Sequence, residues 1–360
     1  MIAPAKAGRY LPARIWIDAL TPKQVLFTSA LLKEASPKKH EITVTTRNYS
    51  ELNKFLLRLG LDYTSIGSHG GGDLREKLSA SVKREADLLE FVSKTKFDYS
   101  FSFLSPEAAR VSFGLGIPHF MSSDSPHAWA PSKLTVPLSR SLFTPFPISR
   151  ERWTQYGLKP GLVLKYHALD PWAWLQNSAA RPTTKIRGKV LIRLEEWFAS
   201  YFRQGLGVSS VLHKLLDGIH RLGDFEITLV PRYDGQRAWA RKEFAEKANV
   251  PLDAIDGVEE IAGTDLLIGG GATMTQEAAL LGVPNISYFP SAKLDVFSRY
   301  YFPKKLSVEA TNPKMLLQQT FHILKNLDEV KQIFSQRAKK ETSSFEDPVK
   351  FIFARLSDAQ

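Results

Sequence analysis

Apolar and polar positions along this chain follow two rhythms. Runs of four to six residues rich in β-branched and aromatic side chains alternate with stretches of 10 to 20 residues in which apolar positions recur every third or fourth place. That alternation is how the strands and crossover helices of a parallel sheet appear in sequence. In the first half it predicts strands at 14–18 (RIWID), 41–46, 62–67, 98–103, 117–122 and 141–145, with helices over 21–35, 50–59, 73–95, 105–115 and 127–140. The rhythm lapses between about 168 and 188, where Pro, Ser, Thr and Ala dominate, and this stretch reads as a linker. It then resumes with strands at 188–194, 225–231, 264–270 and 284–289, helices over 207–222, 235–248 and 274–282, and three helical patterns from about 311 onward.

The expected fold is therefore α/β: two doubly wound, Rossmann-like domains facing a cleft. The N-terminal domain would span residues 1–170, the linker 171–187 and the C-terminal domain 188–335, with a last helix over 336–360 able to pack back on the first domain. In such sheets ligands bind where the carboxyl ends of strands hand over to helices. The informative residues are those just after each strand.

Composition narrows the picture without redirecting it. At 360 residues, 43% hydrophobic and 24% charged, the chain has material for two cores. The absence of cysteine excludes disulfides, thiolate zinc sites and cysteine nucleophiles, and suits a cytoplasmic protein. The first ten residues read as a short leader without the apolar stretch of a secretory signal. No run of about 18 residues is apolar enough to span a bilayer, so the expectation is a soluble or peripheral protein. The net charge of +11 is uneven, +8 over residues 1–170 (23 basic, 15 acidic) against +3 over 171–360 (25 basic, 22 acidic). A basic first half fits an anionic partner there, whether phosphate groups, nucleic acid or an acidic lipid surface at which the protein sits peripherally. A generally basic surface is the plain alternative. Nucleic acid is not the expectation, since basic runs are as short as Lys38-Lys39 and Lys339-Lys340 and no recognition motif is present.

The chemistry concentrates in "TDLLIGGGATMTQEAALLGVP", residues 264–284. Gly269, Gly270 and Gly271 follow a strand directly and open a helix, a place where bare backbone and the unpaired amides of the first turn favour an anion such as phosphate. Thr273 or Thr275 could cap that helix or donate to a phosphate oxygen, and Glu277, read as exposed beside the apolar set Met274, Ala278 and Leu281, could accept from ribose hydroxyls. A tight strand-to-helix turn with a solvated first-turn carboxylate explains the same letters.

This stretch resembles the donor-nucleotide loop of the GT-B superfamily, which includes glycosyltransferases of that fold and UDP-N-acetylglucosamine 2-epimerase. The whole chain resembles the domain of unknown function 354 family, largely archaeal and assigned to that superfamily. The matching pieces are RIWIDALTP, VTTRNYSELNKFLLRLGLDYTSIGSHGG, SPEAARVSFGLGIP, SDSPHA, LVPR and GGGATMTQEAALLGVP, spread over about residues 14–300. The resemblance implies a glycine-rich turn facing a diphosphate and a glutamate, here Glu277, holding the ribose. It also implies that Arg193, at a strand's end, faces the donor phosphates; an ion pair with Glu195 or Glu196 is the alternative. Arg232 stands in the corresponding place one strand later.

Four further residues are candidates for catalysis. Asp124 and His127, three apart in SSDSPHA, could work as an oriented acid and base, or Asp124 or Ser125 could cap the next helix. His69, beside Gly70–Gly72, could serve as a base, and Asp18, ending the first strand, as a base or a helix cap. His69, Asp124 and His127 could bind a metal, though no spacing is diagnostic. A base on the acceptor hydroxyl with positive charge or helix amides on the leaving diphosphate needs none, so a metal-independent reaction is expected. Trp172 and Trp174 could stack on a base or sugar, or anchor the linker by packing. The reading is a glycosyltransferase using a nucleotide sugar, UDP-linked, with a lipid phosphate or glycan as acceptor and no other cofactor. A nucleotide-sugar 2-epimerase is the alternative enzyme; against it, Ser105-Pro106 stand where such epimerases carry an acidic run. A non-catalytic nucleotide-sugar binder is the alternative from another class.

Overall fold

The computed structural model describes residues 12–38, 40–49, 52–194, 208–253, 255–288 and 295–357. These fall into two units, one holding the described residues up to Tyr166 together with those from Glu346 on, the other running from His167 to Phe345.

The first unit is built on seven parallel strands: β1 (Arg14–Asp18), β2 (Glu41–Asn48), β3 (Thr64–Ser68), β4 (Tyr99–Ser102), β5 (His119–Ser122), β6 (Ser141–Pro145) and β7 (Val163–Tyr166). Their order is β3-β2-β1-β4-β5-β6-β7, so the sheet reverses direction between β1 and β4, where Asp18 pairs with Ser102 at the strands' ends. Helices cover both faces, which is why β4, β5 and β6 are buried at every position, polar ones included. These helices are α1 (Pro22–Ala35), α2 (Leu52–Arg58), α3 (Leu74–Val92), α4 (Pro106–Gly114), α5 (Trp129–Thr135) and the short α6 (Glu151–Thr154). Three of them start on a side-chain cap: Thr21 for α1, Asp73 for α3 and Ser105 for α4, the first and last followed by proline at the first helical position.

The second unit begins with the short α7 (Trp172–Leu175) inside the stretch read as linker. Its sheet comprises β8 (Lys189–Arg193), β9 (Glu226–Val230), β10 (Leu266–Gly269), β11 (Asn285–Tyr288) and β12 (Val308–Ala310), in the order β12-β11-β10-β8-β9. The reversal lies between β8 and β10, where Arg193 pairs with Gly269. Around it lie α8 (Val208–Leu222), α9 (Asp234–Phe244), α10 (Gly257–Ala262), α11 (Ala272–Leu281), α12 (Pro313–Lys325) and α13 (Leu327–Thr342). The core of this unit joins Val190, Ile192, Leu229, Ile268 and Ile286 of the sheet to Leu216 and Ile219 of α8. The last helix, α14 (Pro348–Ser357), belongs to the first unit, where Phe351 meets Phe143 and Tyr166 edge-on and Phe353 stacks on His40.

The fold class is as expected, two doubly wound α/β sheets, and β1 and β6 start and stop where the sequence pattern puts them. Local differences have local causes. The helix expected over 127–140 stops at Thr135 and continues as a single tighter turn, Val136–Leu138, because Pro137 lacks the amide that another α-helical turn would use. The strand β7 and the helix α10 were not anticipated, being four and six residues long with no room for a period to show.

Candidate functional site

At the reversal point of the second sheet, Arg193, Arg232 and the three glycines come together through the register of the strands. Arg193 ends β8 beside Gly269, and its Nη1 donates to the Pro231 carbonyl at 2.6 Å. Arg232, two residues past β9, donates from Nε to the Leu194 carbonyl at 2.9 Å and from Nη2 to the Gly270 carbonyl at 3.2 Å. Its own amide donates to Gln236 Oε1 at 2.7 Å. One guanidinium thus ties together the chain leaving β8, β9 and β10.

The glycines are bare partly for this reason. A Cβ on Gly271 would land on the Arg232 guanidinium, and one on Gly269 would land on the Thr275 hydroxyl. Gly271 has φ of −174°, an extended conformation open to any residue, so space rather than backbone freedom requires glycine there. Gly271 is also the N-cap of α11 and provides no side-chain cap, in contrast to the starts of α1, α3 and α4. Of the two threonines, Thr275 is buried and its hydroxyl donates to the Gly271 carbonyl at 2.9 Å, which removes it as a cap or phosphate donor. Thr273 is half-buried in the first turn. Glu195 and Glu196, the alternative partners for Arg193, lie outside the described residues.

Glu277 is not on an exposed face. It is 2% exposed, and its Oε1 accepts from Trp174 Nε1 at 2.9 Å. The short helix α7 delivers that indole, so the tryptophan of the expected linker positions the carboxylate. The other oxygen faces the start of α10, where a Cβ on Gly257 would sit 4.0 Å from it. Trp172 packs edge-on against Phe345 at 5.8 Å between ring centroids. A buried carboxylate held by an indole, beside a ten-residue helix without a side-chain cap and two arginines bonded to backbone carbonyls, is an arrangement that suits a ligand with a diol near an anionic group.

The reversal point of the first sheet is occupied by the protein itself. Asp18, 0% exposed, receives Arg84 at both oxygens (Nη2 to Oδ1 at 2.6 Å, Nη1 to Oδ2 at 3.2 Å), the Thr45 hydroxyl at 2.7 Å and the Ser105 hydroxyl at 2.6 Å. Four donors saturate a carboxylate. Burial pushes its pKa up, but the Arg84 charge and these hydrogen bonds outweigh it and hold Asp18 below its ordinary value. Asp18 therefore fits neither role expected of it: it has no free lone pair for a base, and Thr21 caps α1 instead. Next to it His119 is buried between the hydroxyls of Ser100 (2.8 Å to Nδ1) and Ser102 (3.0 Å to Nε2), and burial lowers its pKa to about 4 although Asp18 opposes this.

Asp124 is buried and forms an ion pair with Lys23 Nζ at 2.6 Å, while its Oδ1 accepts from Ser125 at 2.9 Å. It does not cap α5, whose N-cap is Ala128 without a side-chain bond. His127 is exposed. His69 is exposed too, and its Nδ1 accepts from the Gly71 amide at 3.1 Å. That bond uses the lone pair a base would need and leaves Nε2 as the donor. Among the described residues no group of three or more His, Asp or Glu side chains could hold a metal ion, and no helix is long and apolar enough to cross a membrane.

Sequence reasoning missed Arg84, Lys23 and the role of Trp174. Arg84 did leave a signal, for it shares the buried face of α3 with Leu88 and Val92, and a charge in that position requires a partner of opposite sign.

The model of the family described as "Protein of unknown function (DUF354)" matches residues 13–360. The chain belongs to that family. The "Uncharacterized protein MJ0665" of Methanocaldococcus jannaschii aligns with this DUF354 chain at 26% identity over 84% of this sequence and 89% of its own. Among solved structures, the UDP-GlcNAc 2-epimerase of Neisseria meningitidis bound to UDP-GlcNAc superposes with a TM-score of 0.71 at 12% identity, over 96% of this chain and 100% of that one. The glycosyltransferase SsfS6 of Streptomyces sp. SF2575 gives 0.60 at 13% identity, over 96% and 99%. The DUF354 chain thus has the fold these enzymes share.

Proposed function

We propose that this protein is a nucleotide-sugar-processing enzyme whose donor sits on the C-terminal unit. The nucleotide diphosphate lies against Gly270, Thr273 and the open amides of α11, with Arg193 and Arg232 behind it, and Glu277 accepts from the ribose hydroxyls. The observation that carries this reading is the buried Glu277 carboxylate, held by Trp174 in the second turn of α11. Calorimetry with UDP, GDP and dTDP tests it: one nucleotide binding the parent and losing affinity in Glu277→Gln supports it, and no binding of any of the three rejects it.

For the reaction, we place 2-epimerisation of a UDP-sugar first, because the 2-epimerase superposes more closely than the glycosyltransferase. Incorporation of solvent deuterium at the sugar C2 is its signature. Glycosyl transfer, without a metal, is the second reading. It is favoured by the turn after β4, where Ser105, which caps α4 and donates a hydrogen bond to Asp18, stands where an epimerase carboxylate is expected. In that reading the acceptor, a lipid phosphate or glycan, meets the basic N-terminal unit, and the exposed His127, with Asp124 nearby in sequence, takes the acceptor proton. Release of free nucleotide only when an acceptor is present distinguishes transfer from epimerisation.

A further inference from the structure

One cluster in the N-terminal unit makes none of the hydrogen bonds that hold Asp18. Arg47 lies on β2 where its pairing with β3 shifts register: Thr46 pairs with Ser65 and Asn48 with Ser68, so one residue faces two. The extra residue on β3 is accommodated at Gly67, whose φ of +74° suits glycine and whose missing Cβ makes room for Arg84 on its way to Asp18. Arg84 therefore takes the carboxylate. Arg47 is left half-buried, its Nε enclosed without a hydrogen-bond partner and its guanidinium 5.9 Å from the centre of the Tyr49 ring.

That ring also neighbours His69, at 4.8 Å between centroids. Its amide donates to the Asn48 carbonyl at 3.1 Å, and its Nδ1 is occupied by the Gly71 amide, so the proton of the neutral ring resides on Nε2. Gly70 rests on the first turns of α3, where a Cβ would come within 2.5 Å of Lys77 Cα, so this glycine brings the His69 loop onto Lys77. Among the described residues neither Arg47 nor Lys77 has a carboxylate within ion-pair distance. The acids nearest Arg47 are Glu107 and Asp18, which act on it at longer range and are themselves engaged by Arg84. Beside the His69 loop are Glu76, whose Oε2 lies 3.3 Å from the Cβ position of Gly71, and Asp73, which caps α3.

We propose that Arg47, His69 and Lys77 form a binding site for a phosphate monoester at the carboxyl ends of β2 and β3. Two cations without a carboxylate at ion-pair distance among the described residues, and a ring N–H, are donors that a dianion recruits together. The pKa of His69 is depressed, first by the partial desolvation of its ring, which is exposed only in part, and then by Arg47 and Lys77, which agrees with a site whose positive charge awaits an anion. The site stands on the N-terminal unit alone and does not depend on the donor reading. If both hold, the second substrate carries a phosphate.

The test is proton NMR of His69 in the full chain, assigned with His69→Gln. It is titrated with inorganic phosphate, with galactose 1-phosphate, and with phosphatidylcholine vesicles containing phosphatidic acid. We expect the soluble phosphates to raise the His69 pKa. Arg47→Gln should raise it without ligand and weaken phosphate binding at least about tenfold, and Lys77→Ala, at a half-buried position, should weaken it similarly. A response to vesicles as well assigns a lipid phosphate, and a response to the soluble probes alone assigns a soluble ester. Indifference of the His69 signal to all three probes overturns the proposal, as does unchanged affinity in both variants. UDP calorimetry on the same samples keeps this outcome separate from that of the donor site.

Discussion

The two sheets reverse direction at equivalent points and fill those points differently. Between β1 and β4 the first unit places a carboxylate, an arginine and two hydroxyls that satisfy one another completely, with Asp18 and Arg84 both about 1% exposed or less. Between β8 and β10 the second unit places glycines, an uncapped helix and arginines anchored to neutral carbonyls, with its carboxylate set aside and held by an indole. The position that binds ligands in open α/β sheets is thus a structural keystone in one unit and a candidate ligand site in the other. Topology says where to look; only the pairing of the polar groups says which of the two positions is closed.

Breaking the keystone should have the largest effect. Arg84→Met leaves Asp18 buried without its cation and should destabilise the protein by about 3–5 kcal/mol at neutral pH, measured by denaturant unfolding. In the parent, Asp18 has a depressed pKa, so its contribution is present above about 3.8, the ordinary value, and is lost as pH falls through the folded value. In the variant, burial is no longer offset and the sign reverses, so the deficit should shrink as the pH is lowered from 7 towards 4.

His119 sharpens the same contrast. Its folded pKa of about 4 lies below the ordinary 6.5, so the native state refuses a proton that the unfolded chain accepts between these values. Stability should fall by roughly 3 kcal/mol as pH drops through that window, and His119→Gln should flatten the profile. A parent protein equally stable at pH 6.5 and pH 4 would contradict the assignment.

In the second unit the effects should be smaller on folding and larger on binding. Gly271→Ala places a methyl on the Arg232 guanidinium and should cost about 1–3 kcal/mol of stability, with Arg232 displaced from the Leu194 and Gly270 carbonyls. Trp174→Phe removes the bond to Glu277 and should cost about 1 kcal/mol in folding while weakening nucleotide binding several-fold. A variant that binds as the parent does would show that the indole is not what orients the carboxylate.

What the sequence made legible follows the same division. Buried strands with helical intervals between them announce a parallel sheet, and GGGATMTQEA could be read as a strand-to-helix turn because its meaning is local. The burial of Glu277 was not legible, because the indole that holds its carboxylate comes from 103 positions away. Asp18 was misread as a cap or base for the same reason: its partners Thr45, Arg84 and Ser105 come from a strand, a helix and a turn that only the fold assembles. Asp124 likewise gave no hint of Lys23.

The account rests most directly on Glu277 as the group that grips a nucleotide. Calorimetric titration of UDP into the parent and into Glu277→Gln, a change that keeps the side chain's volume, measures that alone. The account predicts binding to the parent and a loss of about tenfold or more in the variant, with thermal stability nearly unchanged. Equal affinity in the two proteins, or no binding to the parent of UDP, GDP or dTDP, would contradict it.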